Sequence, residues 1–202
     1  MIAPTEMKRK ILEVARRLVQ TRGYDAFSYA DVAGEVGIRK ASVHHHFAAK
    51  GDLGLAILRQ FRGECRSAFV EIDAAAGPAP KKLERYAGLF EATLRDGGRM
   101  CLCGMLAAGH ETLPGPIRAE LVEALEEHLT WLSSTLKEGR KAGELGFQGP
   151  PRRQAQAVFA GLEGGLLLAR AHGDPSLLMG VARTLLAGLG AASPRNLGPS
   201  AE

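Results

Sequence analysis

Apolar residues along this chain recur at three- and four-residue spacing and almost nowhere alternate with period two, so the pattern predicts an all-α fold. The first helix is expected at about 5–22, with Ile11, Leu12, Ala15, Leu18 and Val19 on one stripe and Gly23 as a left-handed stop. Ser28 opens a short second helix: its hydroxyl can cap a backbone N–H while Asp31, three residues on, answers it. Val32, Ala33 and Val36 of that helix face inward, Gly37 breaks it, and a third helix runs from about Arg39 to Phe47. A long helix at about 50–76 ends at Gly77-Pro78-Ala79-Pro80. Further helices are expected at about 80–95, 100–111, 116–142, 151–171 and 175–189, separated by Gly/Pro punctuation that suits helix first turns. The pattern divides the chain into a three-helix head at 1–50, a helical body at 51–190 and a Pro-, Gly- and Ser-rich tail at 191–202 that reads as disordered.

Composition narrows the class. A chain of 202 residues with 46% hydrophobic and 24% charged residues can bury a substantial core. No apolar run approaches the ~20 residues that span a bilayer, and residues 1–6 lack a signal peptide's apolar stretch, so no membrane association and a cytoplasmic location are expected. Cys65, Cys101 and Cys103 are an odd set, which argues against a structural disulfide framework. Charge is uneven. The first 50 residues hold nine Lys/Arg against five Asp/Glu, and this carries the whole formal excess of +4. A basic excess on a small helical unit suits a polyanionic partner.

Three short helices with a glycine-centred turn between the second and third satisfy the helix-turn-helix requirement that a short helix project its first residues into a major groove. The residues extend the match. Gly23-Tyr24-Asp25-Ala26-Phe27-Ser28-Tyr29-Ala30-Asp31-Val32-Ala33, then Gly37-Ile38-Arg39-Lys40-Ala41-Ser42-Val43-His44-His45-His46-Phe47, then Lys50-Gly51-Asp52-Leu53, closely resembles the DNA-binding signature of the TetR family of repressors. The resemblance covers roughly the first 60 residues. It implies that Ser28 faces a phosphate, that Arg39, Lys40 and Ser42 begin the recognition helix, that His45 projects toward the groove, and that Lys50 reaches a phosphate. His44 stands where the family usually has a phosphate-contacting Tyr. This departure puts a residue type that changes charge near neutrality at the contact, so phosphate binding there is expected to be pH-sensitive. Consecutive helical residues point about 100° apart, so His44-His45-His46 cannot converge on one metal ion.

If the head binds double-stranded operator DNA, the body is expected to hold a ligand site and a homodimer interface. The last two helices supply the dimer candidates Phe159, Leu162, Gly165, Leu166, Leu178, Val181 and Leu185, and the family resemblance implies a four-helix bundle across the two-fold. These stripes also read as intramolecular core. Phe90, Leu94, Met100, Cys101, Met105, Trp131 and Phe159 are expected to line an apolar cavity for a small-molecule inducer. Cys101 and Cys103, at a helix start beside Arg99, are redox or electrophile-sensing candidates, with small buried hydrophobes as the bland alternative. A different class, an all-α metal-binding protein or enzyme using Cys101, Cys103 and His110, has no nucleophile with an oriented base, no phosphate loop and no paired metal motif behind it. No cofactor is expected. The sequence thus reads as a transcriptional regulator, a repressor released from a near-palindromic operator by a small apolar ligand or by cysteine modification.

Overall fold

The computed structural model describes residues 4–190, and every regular element among them is helical. In chain order these are α1 (Pro4–Arg22), α2 (Tyr29–Val36), α3 (Lys40–His46), α4 (Lys50–Ala74), α5 (Ala79–Arg95), α6 (Leu102–Ala108), a 3₁₀ turn (His110–Thr112), α7 (Gly115–Lys141), α8 (Pro151–His172) and α9 (Ser176–Gly188). The tail read as disordered lies outside the described residues. One element differs from expectation. The helix anticipated at 100–111 is only α6, because Gly109 leaves helical geometry (φ −99°, ψ 19°) and a 3₁₀ turn follows. At its other end α6 begins at Leu102, so Cys101 is the residue before the helix, with non-helical backbone (φ −56°, ψ 133°), rather than part of its first turn.

The described residues form two compact units, and α4, α5 and α7 each contribute to both. The first unit contains the described residues up to Ala68 together with Ala92–Glu127. Its core takes Ile11, Ala15, Leu18 and Val19 from α1, Val32 and Ala33 from α2, Val43 from α3, and Leu53, Ile57 and Leu58 from α4. Local chemistry sets the turn geometry. The Ser28 N–H donates to Asp31 Oδ2 at 2.7 Å and the Asp31 N–H to Ser28 Oγ at 3.4 Å, closing both arms of a capping box. Gly37 ends α2 in the left-handed region (φ 79°), and the Ile38 N–H returns to the Ala33 carbonyl at 3.0 Å. At the start of α4, the Ala49 N–H donates to Asp52 Oδ2 at 3.0 Å.

Two tertiary devices complete this unit. Gln20, 1% exposed, grips Met100 twice: its backbone carbonyl accepts the Met100 N–H at 3.1 Å and its Nε2 donates to the Met100 carbonyl at 2.9 Å. The second device joins α4 to α7. Arg59, Arg62 and Arg66 share one face of α4 at i, i+3, i+7 spacing, and Glu120, Glu123 and Glu127 repeat that spacing on α7. Arg62 pairs with both Glu120 and Glu127 at the centre, while Arg59 and Arg66 take the flanks.

The second unit contains Phe69–Glu91 and the described residues from His128 onward. Its centre is aromatic. Trp131 stacks on Phe69 (centroids 5.1 Å, 14°) and on Tyr86 (5.3 Å, 24°), and its indole N–H donates to Asp73 Oδ2 at 3.0 Å. Within the same cluster the Tyr86 hydroxyl and His128 Nδ1 are 2.8 Å apart, both residues being buried. At the other end of the unit α9 lies close against α8. A Cβ on Gly161 would fall 2.6 Å from Leu185 Cδ1, and one on Gly165 3.2 Å from Leu178 Cδ1 and Val181 Cβ, so the two glycines let α9 pack closely on α8.

Candidate nucleic-acid interface and sensor surfaces

The head places four of the seven residues expected to meet DNA around one recess. This recess, about 280 Å³, is lined by Phe27, Ser28, Tyr29, Lys40, His44 and Lys50. Lys50 Nζ lies 4.5 Å from the Phe27 ring centroid and 4.8 Å from that of Tyr24, so the two rings hold its ammonium in place. Partial burial pushes the Lys50 pKa down, and Asp25 and Asp31 push against that shift. Tyr29 ties the recess together: its hydroxyl donates to the Phe47 carbonyl at 2.9 Å and its ring meets the edge of His44 at 4.6 Å between centroids. Burial, with Asp52 and Tyr24 adding to it, raises this phenol to about 12, so it remains a neutral donor.

The other three expected residues, at or along the recognition helix, lie outside the recess. Arg39 is exposed in extended backbone immediately before α3, Ser42 is half-buried, and His45 is exposed with its ring 5.6 Å from that of His46. Several basic residues of the first quarter are neutralised within the chain, Arg16 by Glu64, Arg17 by Glu35, and Arg22 by Asp31 and Glu35. Arg39, Lys40 and Lys50, with Lys8 of α1, form no ion pair among the described residues, which leaves unpaired positive charge around the start of α3 and the start of α4. The Tyr24 and Phe27 platform escaped sequence reasoning, although both aromatics stand in the stretch between Gly23 and Ser28.

The expected ligand-site residues separate between the units. Phe90, Trp131 and Phe159 belong to the second unit, where Phe90 and Phe159 meet edge to face at 6.2 Å. Leu94, Met100, Cys101 and Met105 belong to the first, with Leu94, Met100 and Cys101 buried there. Buried His128 and Tyr86, at the heart of the aromatic cluster, were not anticipated. Their i, i+3 relation to Trp131 and one-turn relation to Phe90 was the available signal.

Cys101 is 7% exposed and Cys103 fully buried. Cys103 acts electrostatically on Cys65 of α4, whose thiol is raised to about 12, chiefly by burial. His110 is half exposed beside Glu111, and among the described residues no three His, Cys, Asp or Glu side chains are grouped to hold a metal ion.

Of the dimer candidates, Leu162, Gly165, Leu166 and Leu178 are buried in the chain's own α8–α9 packing, whereas Phe159, Val181 and Leu185 are half-buried. The apolar side chains actually presented outward by these helices are Leu167 (60% exposed), Leu168 (51%) and Leu177 (36%). A groove of about 400 Å³ lined by Ser176, Leu177, Gly180, Val181, Thr184 and Leu185 runs along α9. The run Leu166-Leu167-Leu168 was the signal for this surface, because three successive helical residues cannot share one core-facing stripe.

A glycine-turned α2–α3 pair carrying free cations at the start of α3 defines a helix-turn-helix protein of the transcription-regulator class. Comparison with known proteins specifies it further. Residues 11–57 match the family model described as bacterial regulatory proteins, tetR family, and residues 79–185 match tetracyclin repressor-like, C-terminal domain. A TetR-family transcriptional regulator from Agrobacterium tumefaciens superposes with a TM-score of 0.89 at 33% identity, covering 93% of this chain and 99% of that one. The transcriptional regulator AcuR of Cereibacter sphaeroides is 28% identical over 169 residues, 81% of this chain and 76% of that one. The HTH-type transcriptional repressor KstR2 of Mycobacterium tuberculosis is 35% identical over 85 residues, 42% of this chain and 40% of that one. The chain belongs to the TetR family and is a transcriptional regulator, not an enzyme. No helix among the described residues is long and apolar enough to cross a membrane.

Proposed function

We propose that this protein is a cytoplasmic repressor that binds a near-palindromic operator as a homodimer and releases it when a small molecule binds. The observation that carries the reading is the recess on the head, where Lys40, His44 and Lys50 converge beside the capped start of α2. Two ammonium groups and a hydroxyl at one phosphate-sized recess would fix the head on the DNA backbone, while Arg39, Ser42 and His45 reach base edges from the front of α3. The KstR2 relative, named as a repressor, supports repression. Titration of the full-length protein against the intergenic DNA upstream of its own gene, beside a scrambled duplex and at two salt concentrations, tests the reading. Tight, selective and salt-sensitive binding supports it, and equal affinity for both duplexes refutes it.

The outer face of α8 and α9 supports the homodimer. Exposed Leu167, Leu168 and Leu177 beside an apolar groove form a surface that a second copy, presenting the same patch, would cover across a two-fold. Leu168→Asp places a charge in that contact and should convert the dimer to monomer in sedimentation velocity at micromolar concentration. Operator affinity should then fall by at least about tenfold, since one head reads only half of the site. A Leu168→Asp protein that remains dimeric would move the interface elsewhere.

For release, the second unit's aromatic cluster around Tyr86 and His128 offers an apolar wall with a polar handle, the combination small-molecule sites use. Ligand binding there would favour a state in which the two recognition helices depart from the one-turn spacing of ~34 Å. Thiol modification is the less supported route, because Cys101 and Cys103 are buried and the Cys65 thiol is held protonated.

A further inference from the structure

We propose that operator binding is linked to proton uptake at His44, so that the protein grips DNA more tightly as the pH falls from about 8 to about 6. The inference rests on the operator reading above and adds a form of regulation to that same site.

His44 is exposed and forms one wall of the recess, with its ring edge against Tyr29. The charged and titratable groups around it come from three elements. Its own helix supplies Lys40 one turn earlier and His45 beside it; α2 supplies Tyr29 and Asp31 of its capping box; α4 supplies Lys50 and Asp52, the latter acting with Tyr24 on the Tyr29 phenol. Asp25, in the turn before α2, reaches the recess through its field on Lys50. Lysine and carboxylate side chains as residue types do not change charge between about pH 6 and about pH 8, and the Tyr29 phenol, raised to about 12, is neutral there. The imidazole is the one recess-lining side chain of a type that changes charge in that interval.

An imidazolium makes a third cation in a recess that already holds two. A phosphodiester entering the recess supplies the anion that a third cation needs, and the protonated ring can donate a charge-assisted hydrogen bond to it. Protonation and phosphate binding therefore favour one another, and by linkage a proton taken up on binding makes affinity rise as pH falls. His45 and His46 do not line the recess, which separates His44 from its neighbours in the tests.

An opposite charge within ~4–6 Å favours the charged form of a group by about one pKa unit or more, and one unit is a tenfold change in equilibrium. The expected result is about tenfold tighter binding to the upstream duplex at about pH 6 than at about pH 8, at constant ionic strength. His44→Tyr and His44→Gln should lose this response whatever their absolute affinity, while His46→Gln keeps it. Calorimetric titration in buffers of different ionisation enthalpy should count a net proton uptake on binding that both His44 variants abolish. Selective binding with the same affinity at both pH values overturns the proposal, as does a response that survives in both His44 variants or disappears in His46→Gln. Absence of selective binding at every pH is a different failure: the operator reading falls, and the proton linkage falls with it.

Discussion

Replacing both Lys40 and Lys50 with alanine will weaken operator binding by well over tenfold at physiological salt and flatten its salt dependence by about two units of slope. Each lysine that neutralises a phosphate releases about one counterion, so each loss removes ~0.9 from the slope of log affinity against log salt. The two single variants should not be equal. Lys50 is held over Phe27 and Tyr24, so little side-chain freedom remains to be lost on binding, whereas exposed Lys40 must still be ordered. Lys50→Ala should therefore cost more affinity than Lys40→Ala for a similar change in slope. Anisotropy titrations at three salt concentrations measure both quantities, and a double variant with unchanged slope would remove the recess from the DNA contact.

Arg62→Ala should lower the stability of the folded chain by about 2–3 kcal/mol, one of the largest effects available from a single charged residue. The Arg62 side chain is 12% exposed, and it bridges Glu120 and Glu127, at 13% and 24%. Its removal leaves two carboxylates in a poorly solvated seam without their central cation. Arg59 and Arg66, both largely exposed, can compensate little. Arg62→Met combined with Glu120→Gln and Glu127→Gln should recover most of the loss, because no stranded charge remains.

The pH dependence follows with a definite sign. Burial raises the carboxyl of Glu120, but its bonds to Arg62 and Arg59 more than offset this; for Glu127, Arg66 and Arg62 likewise prevail over burial, so both carboxyls are held below the usual glutamate range. Their contribution is present above the unfolded value of ~4.3 and is lost as pH falls through the depressed folded values. Arg62→Ala should accordingly narrow the gap between urea midpoints at about pH 7 and about pH 4. An unchanged gap would show that these glutamates gain nothing from Arg62.

Features whose cause is local were legible in the sequence. Ser28 and Asp31 announce a capping box by their spacing, and Gly23 and Gly37 mark turns by the left-handed backbone each adopts. That Ser28, Lys40, His44 and Lys50 come together around one recess was readable for the same reason, since it depends on a short motif of fixed geometry. What escaped depends on residues far apart in the chain. Gln20 resembled any polar residue near a helix end until Met100, 80 positions later, met both its backbone and its side chain. The length of α6 was overestimated because Gly109 was tolerated as a helical glycine, although the backbone turns there. The leucines of α8 and α9 read equally as dimer seam and as intramolecular core, because periodicity marks an apolar face without saying which helix covers it.

The grip of Gln20 on Met100 also bears on where this chain can be cut. Thr112 bonds Asp25 in the same unit, and a Cβ at Gly54 would collide with Ile117 Cδ1 at 2.6 Å and Tyr24 Cε2 at 2.8 Å, so α6 and the beginning of α7 share the packing of the three-helix head. A chimera that transplanted only residues 1–50 onto a foreign sensor would leave Gln20 without Met100 and Tyr24 without its neighbours from α4 and α7. The portable module is discontinuous. Anyone rewiring this regulator to a new signal would need to carry Ala92–Glu127 along with the head, or rebuild that surface on the recipient.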